Sequence, residues 1–169
     1  MKNIKIRNIK KEDIPKVVDI QIDAWRTAYK EIIDSQYLKE MNKEDKIKQR
    51  EKDYKQDRFI VAEMNNEVVG FCRYIANNSE TPEVPEADCE ILALYVKSNL
   101  KQNGIGKTMF EYAKNEFIKQ QKTKMVLWCL NDNEPSKRFY EKMGGKIIKE
   151  RLFTIGEKDY AVVCFCYDI

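Results

Sequence analysis

Histidine is absent from all 169 residues. That absence excludes Ser-His-Asp and Cys-His nucleophiles, because no imidazole is available to take the nucleophile's proton. The five cysteines, Cys72, Cys89, Cys129, Cys164 and Cys166, contain no CxxC pair, and each lies in an apolar or alternating stretch. They read as buried reduced thiols and not as disulfides or zinc ligands, so no metal is expected. Whatever chemistry the chain performs must use carboxylates, tyrosine, backbone amides or a co-substrate.

Long apolar runs are missing too. No stretch approaches the ~20 residues needed to cross a bilayer. The first residues alternate charge with isoleucine and lack the apolar centre of a secretory signal. The expectation is a cytoplasmic protein with no membrane partner. Nor is there a charge excess of one sign. Thirty-one basic residues against twenty-eight acidic ones leave +3, spread too thinly for a nucleic-acid surface. No low-complexity segment or linker breaks the chain, and 43% of it is apolar. A single domain over residues 1–169, with a core of its own, is expected.

What is there is a succession of clear hydrophobic periods. Ile4 and Ile6 alternate in a first strand near residues 3–9. Ile14, Val17, Val18, Gln21, Ile22, Trp25, Ala28 and Tyr29 share one helical face behind the acidic pair Glu12-Asp13. A broken helical stretch from Ser35 to Tyr54 has few apolar anchors and is expected at the periphery, over one edge. Residues 58–63 and 68–76 read as a hairpin around Met64-Asn65-Asn66-Glu67. Residues 77–87, with two prolines and several acids, read as an exposed loop. Strand 89–96, helix 104–120, strand 125–130 and helix 133–143 follow, and Gly144-Gly145 ends the last helix. Two strands, 146–153 and 159–167, close the chain. The order β-α-α-β-β-β-α-β-α-β-β predicts an α+β fold with a mixed sheet and not a doubly wound nucleotide fold. A homodimer through the terminal strands is left open by this pattern.

The segment Lys101-Gln102-Asn103-Gly104-Ile105-Gly106-Lys107 stands between a strand and a helix. Glycines let backbone approach an anion, and the first helical turn leaves N–H groups unpaired at the positive end of the dipole. The dinucleotide fingerprint GxGxxG would need glycine at Met109 and fails. The P-loop pattern would need glycine at Lys101, although Gly106-Lys107-Thr108 matches its end. A P-loop phosphotransferase and a glycine-rich turn without any ligand stay as rival readings.

Residues 88–143 resemble the GNAT superfamily of acyl-CoA N-acyltransferases in two motifs. Gly104 and Gly106 match its Gln/Arg-x-x-Gly-x-Gly/Ala signature, with Lys101 in the Gln/Arg position. Asn133 to Gly144 is similar to its second signature, with Ser136 in place of alanine and Phe139-Tyr140-Glu141-Lys142-Met143-Gly144 intact. Trp25-Arg26-Thr27-Ala28-Tyr29 also looks like the first helix of many bacterial members. The resemblance implies a mostly antiparallel seven-stranded sheet flanked by about four helices, with splayed central strands. It further implies transfer of an acetyl group from acetyl-CoA to a small-molecule primary amine. A non-catalytic acyl-CoA-binding module is the alternative.

By that resemblance, the backbone of Leu94, Tyr95 and Val96 would pair with the pantetheine arm. Lys101, Gln102, Asn103, Gly104, Ile105, Gly106 and Lys107 would hold the pyrophosphate, with Asn133 and Lys142 as further cofactor contacts. Tyr140 is the candidate general acid toward the coenzyme A thiolate, since a phenol of pKa ~10 stays protonated at neutral pH. Its rival reading is a core aromatic. Glu90, a carboxylate in an apolar strand, is the candidate base, acting through water. An ordinary solvated acid at a strand edge is the rival there. Trp25, Tyr29 and Tyr37 are candidate walls of the acceptor pocket, or plain core. The acids Glu80, Glu83, Glu86, Asp88 and Glu90 either favour a cationic acceptor such as a polyamine or simply solvate the loop.

Overall fold

A computed structural model describes residues 3–169, and every strand in that range joins one sheet. In chain order the elements are β1 (Lys5–Asn8), α1 (Ile14–Ala28), α2 (Ser35–Glu40), α3 (Lys43–Gln56), β2 (Arg58–Met64), β3 (Glu67–Ile75), β4 (Cys89–Val96), α4 (Ile105–Lys119), β5 (Lys124–Leu130), α5 (Glu134–Lys142), β6 (Lys146–Ile155) and β7 (Lys158–Asp168). The sheet order is β1-β2-β3-β4-β5-β7-β6. Every neighbouring pair is antiparallel except β4 and β5, which run parallel. That one parallel step sits where α4 crosses over between them, as a βαβ unit requires. The sheet is therefore the mixed, mostly antiparallel one expected. It lacks the parallel sheet on which a P-loop is normally mounted.

Local chemistry accounts for the boundaries. Asn65 and Asn66 both adopt left-handed φ, 53° and 62°, so the β2–β3 hairpin turns in two residues; β2 runs on to Met64, and β3 starts one residue earlier, at Glu67, and ends at Ile75. The stretch 35–54 is two helices, which gives five α-helices among the described residues. Met41 is extended, and Asn42 starts α3 afresh by accepting a hydrogen bond from Asp45 N. Neither helix merely covers an edge. Leu38 of α2 is buried with Leu130, Ile155 and Val162, and Ile47 of α3 packs on Ile14, Val18 and Ile22 of α1.

The sheet separates two apolar layers. On one face α4 places Ile105, Met109, Phe110, Ala113 and Phe117 over β2–β5 and β7, joined by Tyr140 of α5. Phe110 and Phe117 are fully buried there, a contribution of about 1.5–3 kcal/mol each. On the other face Val17 and Ile20 of α1 meet Phe59, Val61, Val68 and Phe71. The connection 77–87, expected to be exposed, is folded in. Thr81, Val84 and Ala87 are buried, the last two against Val126 and Cys164. All five cysteines are free, and Cys72, Cys89 and Cys164 are buried. No helix among the described residues is long and apolar enough to cross a membrane.

Candidate active site

β4 and β5 pair over only three rungs, Cys89–Met125, Glu90–Val126 and Ile91–Leu127. The cause lies on the other side of β4. Its register against β3 steps from Tyr74–Ile91 to Arg73–Ala93, so Leu92 is an extra residue in a β-bulge. Past the bulge β4 stays with β3 as far as Val96, while β5 stays with β7 as far as Leu130. The two central strands thus part, and half-buried Leu92 to Val96 have a strand neighbour on one side only. Backbone groups along such an edge need a partner, and an extended chain can supply one.

The open edge leads straight into the glycine loop. Lys97 N bonds back to Val69 O, and a 3-10 turn at Ser98–Leu100 follows. Gln102 and Gly104 then take left-handed φ, 65° and 78°. Gly104 caps α4 without a side chain, so the first-turn N–H groups have no side-chain partner. Ile105 anchors the helix in the core, while Lys101, Gln102, Asn103, Gly104 and Lys107 are exposed. The Asn103 amide donates to Leu100 O and Lys101 O, which holds the loop's bend. Gly106 lies under the mouth of the gap. A Cβ there would stand 3.7 Å from both Val96 Cγ2 and Phe139 Cζ.

Three phenols converge at the gap from different elements. Tyr140 of α5 belongs to the α4-side core, and Tyr95 of β4 points to the α1 side. The Trp25 indole of α1 donates to Tyr95 Oη at 2.9 Å. Burial raises the Tyr140 pKa well above the ordinary phenol value, with Cys129 and Tyr95 adding to it. Burial likewise raises Tyr29, with Tyr95 and Tyr140 adding to it. Tyr29 and Tyr140 lie on opposite layers, yet each feels Tyr95. Trp25 meets Tyr29 edge-on at 5.1 Å and Tyr37 at 6.4 Å, so the three expected wall residues form one aromatic cluster. Tyr37 also closes over Gly156, whose Cβ would fall 2.8 Å from the Tyr37 ring.

The cap residues fix how α5 presents Tyr140. Asn133 is 6% exposed, and both ends of its amide serve the cap. Nδ2 donates to Ser136 Oγ at 2.8 Å, and Oδ1 accepts from Ser136 N at 3.4 Å. Lys142 is exposed at the far end of the helix.

Glu90 sits on the second of the three shared rungs, in a central strand and 3% exposed. It is not a solvated edge acid. Burial pushes its pKa up to about 7, although a hydrogen bond from the Thr81 hydroxyl at 3.0 Å works the other way. Trp128 Nε1 donates to the same Thr81 oxygen at 2.7 Å. The Arg151 guanidinium stacks over Trp128 at 4.0 Å and pairs with Glu83. Thr81, Trp128, Arg151 and the Tyr95 side chain were not singled out from sequence. Thr81 was hidden in an apparent loop, and Trp128 in a run that reads only as buried strand.

A bulge that splays two central strands, directly ahead of an anion-ready helix N-terminus, has a clear counterpart among known proteins. The sequence profile of the acetyltransferase (GNAT) family matches residues 18–145. The chain belongs to that family. It is an N-acetyltransferase that draws on acetyl-CoA. It is 28% identical over 155 residues to the uncharacterized N-acetyltransferase YuaI of Bacillus subtilis, covering 90% of this chain and 86% of that one. Its fold superposes on the PaiA N-acetyltransferase of Thermoplasma acidophilum, solved in complex with coenzyme A. The TM-score is 0.78, with 22% identity and 99% of each chain covered. An N-acetyltransferase from Staphylococcus aureus is similar at a TM-score of 0.73 and 20% identity, with 98% of each chain covered.

The residues present fit such a co-substrate. The unpartnered edge of β4 can accept an extended pantetheine arm, and uncapped N–H groups at the start of α4 suit a pyrophosphate. The missing Cβ of Gly106 leaves the approach between Val96 and Phe139 clear.

Proposed function

We propose that this GNAT enzyme acetylates the primary amine of a small cationic molecule by direct attack, within one catalytic domain over residues 1–169. The observation that carries the reading is the parting of β4 from β5 immediately before the Lys101–Lys107 loop. Acetyl-CoA supplies an activated thioester whose acetyl group an amine can take without a covalent enzyme intermediate.

In this reading the β4 backbone at Leu94, Tyr95 and Val96 aligns the arm, and a β4 N–H near Leu94 polarises the thioester carbonyl. Gln102 to Lys107 present backbone donors to the pyrophosphate, while the Lys101 and Lys107 ammonium groups add charge. Lys142 adds charge from the end of α5. Asn133 acts through its cap, by aiming α5 and with it Tyr140. Burial holds the Tyr140 phenol in its protonated form, so an O–H is present at the gap to hydrogen-bond and protonate the departing sulfur. Glu90, with a pKa of about 7, is half ionised near neutrality and can accept the amine's proton through water.

The acceptor enters from the α1 side, between Trp25, Tyr29 and Tyr37. An aromatic wall beside a buried carboxylate favours an ammonium-bearing molecule, and Trp25 already holds the Lys46 ammonium 5.6 Å from its ring centre. Coenzyme A release should be measured with acetyl-CoA and a panel holding spermidine, tyramine, an aminoglycoside and a peptide N-terminus. Turnover with a cationic small amine above the hydrolysis background supports the reading. Turnover with the peptide alone would overturn it.

A further inference from the structure

Trp128, Thr81 and Glu90 form a hydrogen-bonded series whose direction is set by chemistry. An indole N–H can only donate, so Trp128 Nε1 must use a lone pair of Thr81 Oγ1. The hydroxyl has one proton, and Glu90 Oε2 lies 3.0 Å away to receive it. Reversal would leave the proton of this fully buried hydroxyl without an acceptor among the described residues, which costs a hydrogen bond. We propose that Thr81, oriented by Trp128, is a positioning residue that keeps Glu90 ready to accept a proton on its other oxygen, Oε1.

The surroundings are built to hold this arrangement. Thr81 is fully buried, and its own N–H and C=O close turns with Asn78 O and Val84 N. The Asn78 amide donates to Val84 O at 3.0 Å and ties the same loop. Arg151, reaching across from β6, stacks on the Trp128 ring and pairs with Glu83, so the indole cannot swing away. With the Thr81 proton on Oε2, a proton arriving at that oxygen would meet an O–H already pointing at it. Oε1 is the side left for it.

The charged and titratable groups facing Glu90 oppose one another. Glu80 and Glu83 on the loop disfavour its ionised form, and Arg151 on β6 favours it. Cys164 on β7 is pushed up to about 12 by burial and stays neutral. Burial is the largest influence, and the Thr81 hydroxyl is the strongest one against it. Thr81 is thus the lever by which a buried carboxylate still titrates near neutrality.

This inference rests on the reading of Glu90 as the base, but its test can fail separately. The full-length protein labelled with carboxyl-13C glutamate is titrated by NMR, with Glu90→Gln identifying the Glu90 signal. Thr81→Val should raise the Glu90 midpoint by about one pH unit or more, since hydrogen bonds to charged groups are worth ~1.5–3 kcal/mol. Thr81→Ser should stay near wild type, and Trp128→Phe should move the midpoint upward by less than Thr81→Val. The acid limb of kcat/KM, measured with the amine that turns over, should shift with the NMR midpoint while KM for acetyl-CoA stays constant. If Thr81→Val does not fold, Trp128→Phe carries the test. An unmoved or lowered midpoint in whichever variant folds overturns the inference. A kinetic limb that survives Glu90→Gln overturns the base reading instead, and the NMR midpoints still decide the role of Thr81.

Discussion

The Tyr167 hydroxyl donates to the backbone carbonyl of Tyr140 at 2.8 Å. β7 thereby grips α5 at the residue that faces the gap between β4 and β5. The same carbonyl accepts from Gly145 N at 3.0 Å, closing the end of the helix. Gly145 leaves no room for more, since a Cβ would fall 2.6 Å from Tyr167 Cζ and Oη and 3.0 Å from Phe165 Cδ1. Tyr167→Phe should cost about 1 kcal/mol, the worth of one hydrogen bond with its acceptor still served. Gly145→Ala must displace the Tyr167 ring and should cost about 1–3 kcal/mol while lowering kcat. Urea melts of both variants check the order, and equal stability would show that the ring yields freely.

Tyr140→Phe removes one oxygen from a buried ring and leaves its packing against Phe139 and Phe165 intact. If the phenol protonates the leaving thiolate, turnover should fall on the order of tenfold or more at unchanged affinity for acetyl-CoA. Steady-state kinetics with a calorimetric Kd separates the two. Because burial holds the group well above the usual phenol range, no alkaline limb from Tyr140 is expected below pH 10. Wild-type turnover in the variant would assign Tyr140 to the core alone.

Much of this arrangement is legible in the sequence because each device has a local signature. The glycines at 104 and 106 and the apolar period of α1 each follow from neighbouring residues, whereas Asn133, expected as a cofactor contact, is seen as the N-cap of α5 only in the structure. Phe110 lies beside the stripe Ile105, Met109, Ala113 and Phe117 and is buried as well, because the sheet on one side of α4 and Phe139 of α5 on the other cover a wider arc than a single stripe. The bulge at Leu92 leaves no local mark, since an extra residue in a strand is defined only by its partner across the sheet. Thr81 illustrates the same limit. Its neighbours Pro82 and Glu83 speak for an exposed loop, and only contact with β5 and β7 turns that loop inward. Long-range pairing made the Glu90 environment, so no window around residue 90 could reveal it.

The Glu90 carboxyl should leave a signature in stability as well as in rate. An ordinary glutamate titrates near 4.5 and the folded one near 7. Between these values the folded chain holds a proton that the unfolded chain has lost, so stability falls as pH rises across the window. A shift of this size corresponds to about 3 kcal/mol. Glu90→Gln stays neutral throughout. It should match wild type near pH 4.5 and exceed it by about 1–3 kcal/mol at pH 8. Denaturant melts at the two pH values test this, and a constant difference would show that Glu90 does not titrate in the window.

Gly106 separates steric tolerance from ligand exclusion. A single Cβ there would make ordinary contacts at 3.7 Å with Val96 and Phe139, and the backbone is not left-handed at this position. Gly106→Ala should therefore fold with wild-type stability or slightly better, because alanine favours helix over glycine by about 1 kcal/mol. Gly106→Glu has further atoms to place, and the space between Val96 and Phe139 is already close. Its carboxylate must project from the first turn of α4, where the N–H groups and Lys107 offer an anion site. Intramolecular occupancy and charge repulsion should together abolish acetyl-CoA binding while leaving the melting temperature high. Calorimetric titration with acetyl-CoA alongside thermal melts reads both effects. Retained binding in Gly106→Glu would move the pyrophosphate away from this turn and leave Gly104 and the exposed lysines to account for the loop.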